Sequence, residues 1–324
     1  MKKSLNLPEF LNELLFNKLS AKYEPNYSKF NKNLELNEED VKIYLGTYFP
    51  RSYAESYLIF NDLFKNKIVK KFYNEKEEIN ILDIGAGSGG NLLGLLFALK
   101  DNFSNNLNIN VFAIDGNQKA LETLNKIVLK ISIKYNIHIN IKSQFITFNL
   151  INELYENSKE YLETNYDFII SSKMINEIIE KDSKAYYDFC KYFSKNLSKE
   201  GFLILIDVTM KVESKYLPII LNTQINEFIK NNNKLKTIIP TSCHLYENEC
   251  NEQCFTNNLF YVSHKEKKND LSKITYRILT HKNFADKILK NIQKGGLIGE
   301  TQNSKKYCVY MENSKNINAY KVSL

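Results

Sequence analysis

Eleven residues constrain this chain more than any others: Ile81-Leu82-Asp83-Ile84-Gly85-Ala86-Gly87-Ser88-Gly89-Gly90-Asn91. A short apolar run that carries an acid and breaks into glycines, then continues as the helical stretch Leu92–Leu99, reads as strand, tight turn and helix. Glycines at such a junction let the backbone turn sharply and come close to a ligand beneath a helix N-terminus. The chain then repeats the theme. Ile109–Ile114 reads as a strand, Gln118–Lys134 as a helix, Ile139–Phe148 and Phe168–Ser171 as strands. Lys184–Leu197 follows as a helix, Phe202–Val208 as a strand and Tyr216–Lys230 as a helix. Strands alternating with helices of crossover length predict an α/β protein with a doubly wound parallel sheet.

The flanks read differently. Residues 1–75 form a predicted helical region: Leu11, Leu14, Leu15 and Leu19 recur at helical spacing, as do Tyr53, Tyr57, Phe60 and Phe64 after Pro50. A Lys/Glu linker, Asn74–Glu78, closes it, and residues 76–240 carry the alternation. Beyond Pro240 the alternation stops. Residues 241–258 are polar and cysteine-bearing, and 259–264, 273–280 and 306–311 read as strands, with Gly295, Gly296 and Gly299 as turn residues between them. Residues 241–324 are thus expected to be a β-rich, cysteine-bearing extension.

Composition limits the class of protein. At 324 residues and 43% hydrophobic, the chain can bury a core without covalent staples. Apolar runs such as Phe202–Ile206 fall far short of the ~20 residues of a membrane span. The opening MKKSLNLPEFLNELLF lacks the apolar core of a signal peptide. The expectation is a cytoplasmic protein with no membrane partner. A net charge of +7 permits a polyanionic partner without requiring one. Nearly all of the 44 basic residues are lysine; the two arginines are Arg51 and Arg277, a skew that a low-GC coding bias explains together with the abundant Asn, Ile and Tyr. Five cysteines in a reducing compartment point to thiols rather than disulfides.

Two details sharpen the glycine loop. Asp83 lies two positions before its first glycine, and Phe112-Ala113-Ile114-Asp115-Gly116 puts a carboxylate at the end of the next strand. A carboxylate there can accept both hydroxyls of a ribose. Dinucleotide enzymes share the G-x-G-x-G spacing, which leaves a nicotinamide-binding domain open. The 30-residue interval from Gly85 to Asp115 is longer than the ~20 usual in that class. The combination resembles the class I S-adenosylmethionine (SAM)-dependent methyltransferases, whose first motif reads D-x-G-x-G-x-G, over about residues 79–210. The resemblance implies a Rossmann-like fold with SAM as cofactor. Asp83 and the loop Gly85, Ala86, Gly87 and Gly89 would face its methionine moiety, and Asp115 would hold its ribose. Asn149 would lie near the adenine amine, and Ser171 and Ser172 would floor the site.

The acceptor side is less determined. Lys173, Asn176 and Glu177, after the fourth strand, are candidates to meet a substrate, although polar residues at a helix start equally serve as caps. The Asn/Asp-Pro-Pro-aromatic motif of amino-directed base methyltransferases is not found there. Methyl transfer to a good nucleophile needs little beyond alignment and a base. Cys243, Cys250, Cys254 and Cys308 are spaced C-x6-C-x3-C and then x53-C, which suits a tetrahedral thiolate site for zinc or an iron–sulfur cluster. His244 could replace one thiol, and four unrelated free cysteines are the alternative. Cys190, among Tyr186, Phe189 and Phe193, reads as a packed small hydrophobe.

A narrower resemblance joins these pieces. Pro240-Thr241-Ser242-Cys243-His244, Glu249-Cys250 and Cys254-Phe255 look like a motif of the mitochondrial small-ribosomal-subunit assembly methyltransferases and their bacterial relatives. Tyr48-Phe49-Pro50-Arg51-Ser52-Tyr53-Ala54, Asn176-Glu177 and Leu271–Arg277 agree, so the likeness runs from about residue 44 to the C-terminus. It implies a [4Fe–4S] cluster on Cys243, Cys250, Cys254 and Cys308, and small-subunit ribosomal RNA as the partner. Three functions stay open: a methyltransferase acting on that RNA, a ribosome-binding assembly factor without turnover, and a small-molecule methyltransferase whose extension is a lid. Lys265, Lys267, Lys268, Lys305 and Lys306, interleaved with Tyr261, Tyr276, Tyr307 and Tyr310, could contact RNA and stack on bases. They could equally form a solvated face and a core.

Overall fold

The computed structural model describes residues 3–25, 37–103, 107–212, 215–239, 258–290, 292–300, 306–312 and 316–321. The N-terminal part comprises β1 (Lys3–Asn6), α1 (Glu9–Asn12), a π-helical segment (Glu13–Lys18), α2 (Glu38–Thr47), α3 (Phe49–Phe64) and α4 (Lys67–Asn74). The alternating part begins with β2 (Glu78–Ile84), α5 (Gly90–Asn102), β3 (Asn108–Asp115), α6 (Gln118–Tyr135) and β4 (His138–Phe145). It continues with α7 (Ile151–Ser158), β5 (Tyr166–Ser172), α8 (Ile175–Ile178), α9 (Ala185–Phe193) and β6 (Leu197–Val208). After a small ribbon of β7 (Lys211–Val212) and β8 (Lys215–Tyr216) come α10 (Leu217–Asn232) and β9 (Leu235–Ile239). β10 (Asn258–His264), β11 (Lys267–His281), α11 (Lys282–Leu289), β12 (Ile292–Glu300), β13 (Lys306–Glu312) and β14 (Asn316–Lys321) complete the described chain.

One sheet of nine strands organises the molecule, in the order β1-β10-β11-β6-β5-β2-β3-β4 with β9 paired to β11. β2 to β6 are parallel, and β11 returns antiparallel against β6. This is the α/β, Rossmann-like doubly wound sheet that the alternation predicts. β2 alternates between the two layers: Ile79 and Ile81 belong to the core shared with α3, α5 and α6, while Leu82 and Ile84 belong to the core shared with α7, α9 and α10. Burial on both faces is what a parallel sheet requires. The chain steps from β2 outward to β3 and β4, then crosses back to β5 on the other side of β2. At that reversal the connections leave in opposite directions, which opens a crevice beyond the strand ends.

Several boundaries differ from the sequence reading. The region read as helical opens with β1, which lies parallel to β10 as Lys3↔Phe260 through Asn6↔Ser263. β10 and β11, from the expected extension, are strands of the main sheet, so all three sequence segments contribute to it. The strand expected over Ile139–Phe148 stops at Phe145, because β3 ends at Asp115 and the Ile146 N–H turns to the Asp115 carbonyl at 3.0 Å. The helix expected to reach Leu197 ends at Phe193 with a short 3-10 turn, and Leu197 already pairs with Tyr166. Gly295, Gly296 and Gly299 lie within β12 rather than in turns. The β12–β13 register shifts between Gln293 and Gly296 and again between Leu297 and Gly299, so glycine marks irregular pairing there. Among the described residues no helix is long and apolar enough to cross a membrane.

Candidate functional site

The crevice is built around the turn from β2 into α5. Gly85, Gly87 and Gly89 have φ of +75°, +52° and +89°, a region that L side chains rarely adopt. Two of them are also crowded: a methyl group on Gly85 would lie 2.5 Å from Met174 Cβ, and one on Gly89 2.3 Å from Leu124 Cδ1. Gly87 differs. A methyl group there would rest in ordinary contact with Tyr44 Cε1 at 4.0 Å, so the middle of the loop is uncrowded and faces that ring. The N–H groups of Gly85 and Ala86 both donate to the Ile114 carbonyl, at 2.8 and 3.1 Å, which ties the loop to the end of β3.

Two carboxylates stand at this junction. Asp83 is 1% exposed, and its Oδ2 has no hydrogen-bond partner in the protein. Burial, and then the neighbouring Asp115 carboxylate, push its carboxyl up to about 7. Asp115 accepts the Gly87 N–H at 2.7 Å and the Asn117 N–H at 2.8 Å. Burial outweighs those two bonds and raises its carboxyl to about 6. The hydroxyls of Ser88 and Ser172 are likewise buried without a partner. Buried polar atoms are nearly always satisfied, and leaving one orphaned costs about 1–3 kcal/mol.

The end of β5 forms the other wall, level with β2 through the pair Ile84↔Ser171. Ser171 and Ser172 are buried there. Lys173 follows with φ +55°, and its ammonium turns toward α3, 2.6 Å from Glu55 Oε2 and 3.2 Å from Ser52 Oγ. Glu55 is 0% exposed and also accepts a hydrogen bond from the Ser272 hydroxyl. The Lys173 charge is therefore engaged inside the fold. Asn176 braces the same turn: its N–H donates to Asp207 Oδ2 at 3.1 Å, and its amide donates to Asp207 Oδ1 and to the Lys173 carbonyl, both at 2.9 Å. Asp207, at the end of β6, also accepts the Tyr186 hydroxyl at 2.8 Å, yet burial raises its carboxyl to about 7. Glu177 is exposed at the rim. Asn149 is exposed beyond β4, where its Oδ1 accepts from Lys181 Nζ at 2.6 Å.

Asp83, the glycine loop, Asp115, Ser171 and Ser172 thus meet at one strand-end crevice, with Lys173 and Asn176 directed into its wall. Sequence reasoning missed Glu55 and Tyr44. Glu55 had a signal, a carboxylate at helical spacing from Ser52 and Ile59 on α3; all three are buried. Tyr44 had a weaker one, its spacing of one helical turn from Tyr48. Cys243, Cys250 and Cys254 lie outside the described residues. Cys308 lies in β13, its backbone in register with Leu297 and Tyr320. Among the described residues no group of three or more His, Cys, Asp or Glu could hold a metal ion. Burial raises the Cys190 thiol to about 12, in keeping with a packed hydrophobe.

No protein-family model matches the chain, and no curated protein matches it. Among solved structures, similarity extends to the plantazolicin methyltransferase in complex with S-adenosylhomocysteine (SAH), at 13% identity and a TM-score of 0.41, covering 83% of this chain and 93% of that one. A SAM-dependent methyltransferase from Aquifex aeolicus is 16% identical with a TM-score of 0.34, covering 67% of this chain and 90% of that one. One from Leishmania major is 10% identical with a TM-score of 0.37, covering 73% and 85%.

Proposed function

We propose that this chain is a class I SAM-dependent methyltransferase whose cofactor lies across the crevice between the ends of β2, β3 and β5. One observation carries the reading: a buried carboxylate oxygen, Asp83 Oδ2, is left without a partner beneath a glycine loop whose three glycines all have positive φ. The donor set fits the group. SAM presents an ammonium and a ribose diol, both of which donate hydrogen bonds, and this chain offers Asp83 and Asp115 as acceptors. Asp115 keeps lone pairs for hydroxyls after accepting Gly87 and Asn117. A nicotinamide dinucleotide would bring a pyrophosphate against the same loop, where an unpaired carboxylate disfavours a second anion.

When bound, SAM supplies an electrophilic methyl group on its sulfonium. The chain's own residues supply position. Asp83 holds the ammonium and is kept ionised by it; Asp115 orients the ribose; the Lys173–Glu55 pair and the Asn176–Asp207 bracket fix the turn after β5, past which an acceptor would approach near Glu177. The finer reading is an acceptor in small-subunit ribosomal RNA, with Cys243, Cys250, Cys254 and Cys308 as a [4Fe–4S] or zinc site. It is supported by the motif likeness and the net charge of +7.

Calorimetry with SAM and SAH tests the cofactor. Both should bind, and Asp115→Ala should weaken SAM by about 1.5–3 kcal/mol through loss of charge-assisted ribose bonds. Unchanged affinity removes that role from Asp115, and uptake of a nicotinamide nucleotide in place of SAM ends the reading. Binding to small-subunit RNA should fall steeply with salt; salt-independent or undetectable binding returns the acceptor to the small-molecule class.

A further inference from the structure

Resting on the RNA-acceptor reading, we propose that the outward faces of α4 and α11 form one lysine surface that docks the ribose–phosphate backbone of the acceptor RNA, at the end of the sheet away from the cofactor crevice.

The two helices come from distant parts of the chain and meet on one face of the sheet. Val69 and Tyr73 of α4 and Phe284, Ala285 and Ile288 of α11 enter the same core. The Phe72 and Phe284 rings pack at 5.6 Å between centroids. Burial of those residues turns the opposite side of each helix to solvent. On α4 that side carries Lys67, Lys70 and Lys71, at i, i+3 and i+4, and all three are exposed. On α11 it carries Lys282 and Lys287, with Lys290 at the C-cap, again all exposed. Both faces lie where the strands begin. The Tyr73 hydroxyl donates to the Asp167 carbonyl at 3.5 Å, near the start of β5. The strand before α11 ends with Thr280 opposite Phe202, which is level with Phe168 of β5. β5 has seven residues, so its far end, at Ser172 and the crevice, is about 20 Å away.

Charge selects the occupant. Within the two helices the only carboxylate is Asp286, and Lys236 holds it at 3.4 Å; Glu75 follows at the C-cap of α4. Among the described residues none of the six lysines forms an ion pair, whereas Lys22, Lys100, Lys159 and Lys184 on other surfaces do. Lys67 and Lys282 also open their helices with no acid in either first turn, where a positive charge opposes the helix dipole. Helix stability does not account for that placement. An uncompensated lysine face attracts a polyanion, and release of the counterions condensed on nucleic-acid phosphates drives the binding. Of the large apolar side chains on the two helices only Ile68 is exposed, at 38%, which leaves little to insert into a lipid surface. Lysines meet phosphates as point charges and read no bases, so this face holds the RNA while the crevice selects the nucleotide. Only an acceptor longer than about 20 Å reaches both.

The test is fluorescence anisotropy of a labelled single-stranded RNA and a labelled small-subunit RNA fragment with the full chain and its variants, over a salt series. K70Q, K71Q and K287Q combined should weaken binding of both about tenfold or more near physiological salt. For the single strand the slope of log K against log salt should fall by about 2, at about 0.7 for each lost phosphate contact. K126Q, K130Q and K191Q combined change the net charge equally from other surfaces, and should leave affinity within about twofold. Equal losses in the two variants would make the effect one of net charge and overturn the proposal, as would unchanged RNA binding in the first. Binding of phosphatidylserine vesicles that is lost in the first variant while RNA binding persists would assign the face to a lipid surface, and overturns it too. Should that variant not fold, K71Q and K287Q taken singly should each lower the slope by about 0.7, and an unchanged slope in both overturns the proposal. SAM affinity by calorimetry should be the same in every folded variant. A wild-type chain that binds RNA through this face but not SAM fails the methyltransferase reading and leaves the docking surface standing; one that binds SAM but no RNA does the reverse.

Discussion

The two ends of the central sheet treat their polar groups in opposite ways. At the end where β2, β3 and β5 finish, Asp83 Oδ2, Ser88 Oγ and Ser172 Oγ have no partner in the protein. At the end where β2, β3 and β4 begin, Asn80, Asn110 and Asn140 stand in register on adjacent strands and bond to one another. The Asn110 amide donates to Asn80 Oδ1 at 3.0 Å, and that of Asn140 to Asn110 Oδ1 at 3.4 Å. Asn80 in turn donates to Glu78 at 3.1 Å. These asparagines floor a cavity of about 500 Å³ walled by Lys142, Tyr161 and Tyr166. On the same face, Leu82, Ile84 and Ile114 are covered by the second helical layer. The cavity offers space, yet its polar groups answer one another along the ladder. Unmet hydrogen-bonding capacity, rather than space, marks the place where a ligand completes the fold.

The largest test of this contrast is Asp83→Asn, which removes the charge at nearly constant shape. The Asp83 carboxyl sits at about 7 in the folded protein, against an ordinary value near 3.9 when unfolded. The folded state therefore holds its proton more tightly. The stability this contributes is fully present below about pH 4 and is lost as pH rises through 7. Asp83→Asn should match the parent at pH 4 and become the more stable protein as pH rises, by up to about 4 kcal/mol above pH 7 at 1.36 kcal/mol per pKa unit. It should lose SAM affinity at the same time. Urea denaturation across this pH range, without ligand, checks the sign. A variant destabilised at pH 7 would mean that Asp83 is satisfied by the protein itself, and the contrast between the two ends would fail.

What could be read from the sequence follows the range of the interactions. The glycine turn, Asp83, Asp115 and the alternation from β2 to β6 are local patterns, each carried by a few consecutive residues, and the structure places them as those patterns imply. Pairings between distant segments had no such signature. Periodicity can mark Lys3–Asn6 or Asn258–His264 as extended, but cannot say that these two strands lie side by side. The same limit hid the role of Lys173: its place at a helix start suggested a substrate contact or a cap, while its partner Glu55 comes from α3. Arginine usage held a further signal. In a chain whose basic surface is lysine, both arginines are interior. Arg51 grips Asp270 through two bonds of 2.7 and 2.8 Å, and the Arg277 guanidinium reaches Asn222, Asn226 and Thr237. The guanidinium fork is more weakly hydrated than an ammonium and can meet several acceptors at once, which suits it to burial. A coding bias explains the many lysines, whereas the two exceptions are explained by where they sit.

The smallest effects are expected at the ladder. Asn110→Ala removes its centre and leaves Asn80 Oδ1 and the Asn140 amide without their partners, at a cost of about 1–2 kcal/mol for groups that water partly reaches. Asn140→Ala removes only the long outer bond of an exposed residue, and should cost no more than about 0.5 kcal/mol. SAM affinity should be unchanged in both, because the ladder lies at the opposite end of the strands from Asp83. Denaturation midpoints and calorimetry on the same preparations check the ranking. A loss of SAM affinity in Asn110→Ala comparable to that of Asp115→Ala would couple the two ends. An unchanged midpoint would mean that water, rather than the neighbouring amide, satisfies each asparagine.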